Sequence, residues 1–342
     1  MAEDTALPFV TVVIPVLDEE RFIVTLLESL GCLGGNKCFP GPHEVIVADG
    51  GSTDRTLDIL AEISLDAGIR VIDNPGRIQS AGVNLAASQA NPASKYLIRV
   101  DAHALYDTGF VERVAKSLME TGAASVVVPL ITRPRDDAEG FVWAVTVAQR
   151  SVLGNGGSAH RMESTPAKWV DHGHHAGFDL AFFRSIGGYD ESFATNEDAE
   201  YDVRVAAAGG RIWFEPTGKV WYSPRESASA LVRQYYRYGV GRASTLFKHR
   251  LVPKPRQMFP VAALGANLAS LIGANFWSPL LLLPALYIGA CLAGAIRERK
   301  ASGIVDYGFL DVKAACALVL MHMSWAVGFL FGSWNAVRQR KA

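Results

Sequence analysis

Four acidic positions and one run of histidines carry most of the reactive chemistry open to this chain. Asp49 closes the apolar run Glu44 to Ala48 (EVIVA) and precedes a Gly-Gly pair. Asp101 closes Tyr96 to Val100 (YLIRV), with His103 two positions on. Glu197 and Asp198 stand together at the head of a stretch that reads as a helix to about Ala208. A carboxylate at a rigid strand end can accept a hydrogen bond from a ligand N–H. The Asp101-x-His103 pair offers oxygen and nitrogen donors of the kind a divalent cation accepts. A carboxylate in the first turn of a helix is held as an anion by backbone N–H groups, so that its position matters more than its basicity when it abstracts a proton. The run Asp171-His172-Gly173-His174-His175 has metal-ligand residue types, but no acidic partners stand at fixed spacing, and it reads as a loop.

These residues need a scaffold of alternating strands and helices. Phe9 to Val16 (FVTVVIPV) is β-branched and apolar throughout, as a central strand covered on both faces should be. A helix follows over about 19–30, with Asp18 placed to cap it. Then come a strand at 44–48, a helix at 53–67, a strand at 69–73, a helix at 77–89, a strand at 96–100, a helix at 108–121 and a strand at 124–131. The alternation predicts an α/β domain with a mostly parallel sheet and helices on both faces. Ligands bind beyond the carboxyl ends of such strands, where Asp49 and Asp101 fall. Neither DGGSTD (49–54) nor GNGG (154–157) reads as GxGxxG between strand and helix, which disfavours a nicotinamide enzyme.

Composition bounds the rest. With 342 residues, 49% apolar and 20% charged, the chain can bury a large core. Residues 251–342 hold nine Lys/Arg against three Asp/Glu, leaving 24 against 31, a net of −7, for residues 1–250. An acidic body argues against nucleic acid as a partner. Four cysteines without metal-ligand spacing indicate a reducing compartment. The first seven residues carry two acids and no Lys or Arg, so they lack the positive start of a secretory signal, and the body is expected in the cytoplasm. Residues 257–296 and 314–337 contain no Asp, Glu, Lys or Arg. A span needs about 20 apolar residues, which gives candidate segments at 258–275, 277–296 and 314–337. The basic clusters at 297–300 and 338–341 both favour the cytoplasmic side, and three full crossings cannot satisfy both, so 258–275, interrupted by Pro260, is expected to lie in the interface. The expected organisation is a catalytic domain over 1–250, a basic amphipathic segment over about 225–256 and a membrane region over 257–342.

Four motifs in order, PVLDEE (15–20), VADGGSTDRT (47–56), RVDAH (99–103) and GGYDESFATNEDAEYDVR (187–204), resemble those of the family 2 glycosyltransferases with the GT-A fold. The resemblance covers about residues 9–250. It implies that Asp49 reads uracil, that the backbone around Pro15 and Asp18 borders the same pocket, and that Arg77 contacts the diphosphate or uridine. The usual DxD is replaced by DAH, so Asp101 would bind ribose and the metal or its water, with His103 as a direct ligand to Mg²⁺ or Mn²⁺. Asp198 matches the base of the ED motif, while His174, His175 and Glu197 would face the acceptor. Gln234, Arg237 and Tyr238 resemble a QxxRW element that closes over the nucleotide, with Tyr in place of Trp.

Within that family, RVDAH, NEDAEYDVR and RQYYRYGVGR are similar to the glucosyltransferases of bacterial succinoglycan biosynthesis. The resemblance implies inverting, metal-dependent transfer of glucose from UDP-glucose in a β-1,3 linkage to a polyprenyl-diphosphate-linked sugar. It places the protein on the cytoplasmic face of a bacterial inner membrane, in contact with membrane lipid and with other exopolysaccharide-assembly enzymes as potential partners. The rivals are a processive polysaccharide synthase, for which about three segments offer little to build a channel, and a catalytically idle scaffold that binds a sugar nucleotide.

Overall fold

The computed structural model describes residues 7–33, 37–135, 138–158, 161, 165–305 and 309–339. Its strands in chain order are β1 (Phe9–Val16), β2 (His43–Asp49), β3 (Ile69–Asp73), β4 (Ser94–Arg99), β5 (Ala104–Tyr106), β6 (Ser125–Val128), β7 (Leu130–Thr132), β8 (Lys168–Val170), β9 (His174–Asp179), β10 (Ile212–Phe214) and β11 (Val220–Tyr222). Its helices are α1 (Ile23–Leu30), α2 (Thr56–Ala67), α3 (Gln79–Gln89), α4 (Phe110–Thr121), α5 (Gly140–Arg150), α6 (Val152–Asn155), α7 (Leu180–Ser185), α8 (Glu197–Ala207), α9 (Ala228–Lys248), α10 (Pro255–Gly273), α11 (Leu282–Ala301) and α12 (Leu310–Gln339).

The main sheet runs β3-β2-β1-β4-β9-β6-β10-β8. The first four strands are parallel, β9 enters antiparallel between β4 and β6, β10 returns parallel to β6, and β8 lies antiparallel at the edge. The strict alternation in β1 sends Val10, Val12, Ile14 and Val16 to a face covered by α1, α2 and α4, and Val13 to the face covered by α3, α7 and α8. The mostly parallel sheet with two helical layers is as expected. The strand expected over 124–131 divides at Pro129, whose missing N–H cannot continue a ladder, and β7 joins β5 and β11 in a second small sheet.

β1 pairs with β4 only up to Val13, opposite Arg99, but continues beside β2 to Val16. Pro15, without an N–H to donate, stands where β4 has already left. The sheet therefore opens between β1 and β4 at their carboxyl ends, a crevice of the kind that binds ligands in parallel sheets. Asp18 does not cap α1. Its backbone is left-handed (φ 56°), α1 begins only at Ile23, and the Asp18 carboxylate accepts instead from the Thr53 N–H at 2.7 Å.

The chain divides into two compact units, Met1–Ile131 with Met162–Tyr222, and Thr132–Arg161 with Ser223–Ala342. The single boundary expected at 250 is replaced by a discontinuous one. The apolar α5, with Ala144, Val145, Val147 and Ala148 fully buried, shares a core with α9, α11 and α12. α9 crosses α12 at very short range, since a Cβ on Gly239 would lie 2.1 Å from the Trp325 carbonyl and one on Gly328 2.1 Å from the Tyr236 carbonyl. Instead of floating as a basic surface helix, α9 is thus packed through small residues. Among the described residues, Ser278–Ala301 and Leu310–Gln339 are the helices long and apolar enough to cross a membrane. α10, with Pro260 inside it, is not. Leu282, Leu286 and Ile288 on α11 are all more than half exposed, a surface suited to lipid and costly in water.

Candidate active site

The carboxyl ends of β1, β2, β3 and β4 carry most of the residues singled out by motif, and these lie within the first unit. Asp49 ends β2, and its buried carboxylate accepts from the Gly51 N–H at 2.9 Å and from the Ser52 hydroxyl at 2.6 Å. The Ser52 N–H donates as well, at 3.1 Å to the oxygen that Gly51 holds, so the turn engages both carboxylate oxygens and a ligand N–H would share one of them. Arg77 lies against this turn: a Cβ on Gly50 would come within 3.2 Å of the Arg77 carbonyl, so only glycine lets the two loops approach. Arg77 is itself left-handed at φ 60°, a conformation that costs a non-glycine residue energy and is characteristic of ligand loops. Asp18 joins the same loops through Ser52 and Thr53. Asp49, Arg77, Asp18 and Pro15 are therefore brought together as one polar rim.

Beyond it lies a charge lattice whose centre the motifs did not identify. Arg99, at the end of β4 and almost wholly buried, holds Asp101 through Nε at 3.1 Å, Asp198 through Nη1 at 2.6 Å and Glu197 through Nη2 at 3.5 Å. Its Nη1 also donates to the Tyr189 hydroxyl at 2.8 Å. A buried cation among three carboxylates explains the titration of each. Burial works against ionisation of Asp198, but Arg99 and His175 outweigh it and hold the carboxyl well below the ordinary range. Asp101 behaves likewise: burial opposes its ionisation, and Arg99 with His174 and His103 prevails. Glu197 goes the other way, pushed up to about 7 by burial and by the Asp198 charge beside it. The side chains around Asp198, more than the helix start, therefore keep it an anion. Asn196, the residue before α8, makes no side-chain cap bond.

Asp101 receives further support from the Gln79 amide and from Tyr106, whose hydroxyl accepts the Asp101 N–H at 2.7 Å. His103 is half exposed, with Nδ1 3.2 Å from Glu19. Among the described residues, no group of three or more His, Cys, Asp or Glu side chains is arranged to hold a metal. A hard cation that keeps several waters and takes diphosphate oxygens needs only one or two protein donors, and Asp101 with His103 fits that set by donor type.

The histidine run is a loop only as far as Gly173. His174 and His175 lie on β9, and Gly173 precedes them because a Cβ there would meet Val127 at 2.4 Å. His174 sits between two carboxylates, 3.6 Å from Asp101 and 4.0 Å from Asp198. His175 cannot face an acceptor sugar: it is fully buried, with Nδ1 2.7 Å from the Tyr189 hydroxyl and Nε2 2.8 Å from Asp202. Gln234, Arg237 and Tyr238 lie on α9 in the second unit, where Gln234 Nε2 donates to the Tyr238 hydroxyl at 3.0 Å.

Comparison with known proteins agrees with this geometry. A family model described as glycosyl transferase family 2 matches residues 11–186. The chain is 40% identical over 323 residues, 93% of each sequence, to the succinoglycan biosynthesis protein ExoA of Rhizobium meliloti. It is 24% identical over 249 residues, 70% of this chain and 74% of the relative, to a dolichyl N-acetyl-alpha-D-glucosaminyl phosphate 3-beta-D-2,3-diacetamido-2,3-dideoxy-beta-D-glucuronosyltransferase of Methanococcus voltae. Among solved structures, the mannosyltransferase PcManGT of Pyrobaculum calidifontis, in complex with GDP-Man and Mn²⁺, superposes with a TM-score of 0.55 at 19% identity, covering 97% of this chain and 88% of that one.

Proposed function

The chain belongs to glycosyl transferase family 2, and from that premise we propose that it transfers glucose from UDP-glucose, with inversion and in a β-1,3 linkage, to a polyprenyl-diphosphate-linked sugar in bacterial exopolysaccharide assembly. The observation that carries the reading is the Asp198 carboxylate, held ionised by Arg99 and His175 with one oxygen tied down, in the same lattice as Asp101. Likeness over nearly the full length to a succinoglycan biosynthesis protein supports a role in exopolysaccharide assembly. The two apolar helices are long enough to hold the protein at a membrane, where a lipid-borne acceptor would be within reach; the inner membrane, with the first unit on its cytoplasmic face, is part of the proposal.

In this reading Asp49 accepts the imide N–H of uracil and Arg77 lies beside the diphosphate. Asp101 and His103 hold the divalent cation, Mg²⁺ or Mn²⁺, which when bound neutralises charge on the leaving diphosphate. The acceptor hydroxyl attacks the anomeric carbon opposite that diphosphate while Asp198 takes its proton. His174 and Glu197 flank Asp198 and are the acceptor-side residues. Asp198→Asn is expected to lower turnover by orders of magnitude while leaving calorimetric UDP-glucose affinity near normal. Equal loss of both would move Asp198 to donor binding or to structure.

A further inference from the structure

The base needs one carboxylate, yet α8 also buries Glu197, Glu200 and Asp202, the last of them one turn behind Asp198. Residues four apart share a helix face, and the His175 ring lies between Asp198 and Asp202. Its Nδ1 is 3.1 Å from Asp198 Oδ1 and its Nε2 is 2.8 Å from Asp202 Oδ1. The other Asp202 oxygen is 2.6 Å from His172 Nδ1. The His175 and Asp202 side chains are 0% and 3% exposed. Burying a carboxylate is expensive unless it is paired, and a purely structural contact here would be cheaper with apolar residues.

The contacts at Asp198 show what the pair achieves. Arg99 Nη1 at 2.6 Å, the Tyr189 hydroxyl at 3.0 Å and His175 Nδ1 at 3.1 Å all converge on Oδ1. Among the described residues Oδ2 accepts no hydrogen bond, and His174 Nδ1 stands off at 4.0 Å. We propose that Asp202 and His175 are positioning residues for the base: Asp202 fixes the His175 ring, and His175, with Arg99 and Tyr189, locks Oδ1 so that Oδ2 is the oxygen presented to the acceptor hydroxyl. This rests on the reading of Asp198 as the base. The acceptor O–H bond breaks with its proton passing to Oδ2. The electron pair it leaves on oxygen forms the new bond to the anomeric carbon, and the old bond to the diphosphate breaks with its pair leaving on the diphosphate.

The groups facing His175 are Asp198, Asp202, Tyr189 and Tyr201, with Arg99 and His174 one contact further out around Asp198. Burial lowers the imidazole's proton affinity, but the two carboxylates outweigh it and raise its pKa to about 10. His175 is therefore a cation throughout the working range, and it helps to hold Asp198 down.

The test uses the full chain in detergent with UDP-glucose, Mn²⁺ and a polyprenyl-diphosphate-linked hexose. Asp202→Asn keeps an oxygen for His175 but removes the charge, and His175→Gln keeps a donor for Asp198. Each is expected to lower kcat about tenfold to hundredfold with the UDP-glucose Kd within about twofold, and Asp202→Asn, by taking one carboxylate from the His175 cation, should move the alkaline limb of kcat/KM to lower pH. The Asp198→Asn/Asp202→Asn double variant should be no slower than Asp198→Asn, as for residues acting in one unit. In ¹⁵N-histidine NMR the His175 ring should stay protonated at pH 8 in the parent and titrate at lower pH in Asp202→Asn. Unchanged kcat and alkaline limb, additive losses in the double variant, or a His175 titration indifferent to residue 202 would overturn the proposal. If Asp198→Asn retained activity, the base reading would fall on its own, while the NMR titration would still decide whether Asp202 governs His175.

Discussion

Replacing Arg99 by Met, a side chain of similar length without charge, tests the lattice most directly. Arg99 meets Asp101, Asp198 and Glu197 at 3.1, 2.6 and 3.5 Å. At an effective dielectric of about 20 each contact is worth roughly 5–6 kcal/mol of attraction, much of it offset by desolvation and by repulsion among the carboxylates. Removing one partner of a buried pair costs about 3–5 kcal/mol. For a unit of this size that corresponds to a melting point lower by about 6–20 °C at pH 7. The loss should shrink with acid, and the sign follows from the groups. In the parent, Asp101 and Asp198 have depressed pKa values, so their stabilisation is complete above the unfolded carboxylate pKa of about 3.9 and fades only as pH falls below it. In the variant the same carboxyls keep only their histidine neighbours against burial, so their pKa values rise above the parent's and the deficit relative to the parent shrinks as pH falls from 7 towards 4.5. Thermal unfolding of the full chain in detergent at both pH values measures the difference. A loss below about 0.5 kcal/mol at pH 7, or one that is the same at pH 4.5, would refute the assignment of Arg99 as the shared counter-ion.

His103→Ala should raise the Mn²⁺ or Mg²⁺ concentration for half-maximal transfer by about tenfold, whereas Asp101→Ala should abolish transfer at every metal concentration; metal titrations of both variants distinguish them, and undiminished parent activity in excess chelator would remove the cation from the mechanism. Gly239→Leu drives a side chain into the Trp325 carbonyl and should destabilise the helical unit by about 1–3 kcal/mol or more, read as lower thermal stability in detergent, while a neutral effect would mean that α9 and α12 do not cross as described.

Much of the first unit was legible because its strands are short apolar runs that end in an acid. Asp49, Asp101 and Asp198 could be named from such endings and from the ED pair, and the structure brings Asp101 and Asp198 into one lattice around Arg99. Arg99 was in plain sight inside YLIRV, a cation in a run too apolar to expose it. Its partners Tyr189 and Asp198 are 90 and 99 positions away, and no local pattern encodes such a meeting. Asp202 lies four residues after Asp198, a spacing that could have marked it as facing the same way. The histidine run was misread because His-Gly-His-His resembles a loop, whereas the glycine is there to let β9 pass Val127. In the second unit, Gly239 looks like a weakness in α9 until α12 is placed against it. Close helix crossings favour small residues, but the helix that requires them begins some 70 residues later.

With Asp198 as the proposed base, the lattice also constrains how it would work. A carboxylate held well below its ordinary range has little affinity for a proton, and a sugar hydroxyl in its ground state has little tendency to release one. Transfer to Asp198 becomes favourable only as the acceptor oxygen bonds to the anomeric carbon and its proton turns strongly acidic. The proton must therefore move late, alongside bond formation, and strengthening the base would add little to the rate. What matters is that an acceptor oxygen, once bound, already lies within reach of Oδ2 with its lone pair directed at the sugar, since correct placement alone can supply about 7–11 kcal/mol of a barrier. A site of that kind gains from every contact that stops the carboxylate from rotating. Arg99, Tyr189 and His175 all bind one oxygen of Asp198 and leave the other open, which is the arrangement expected of a base selected for position over proton affinity.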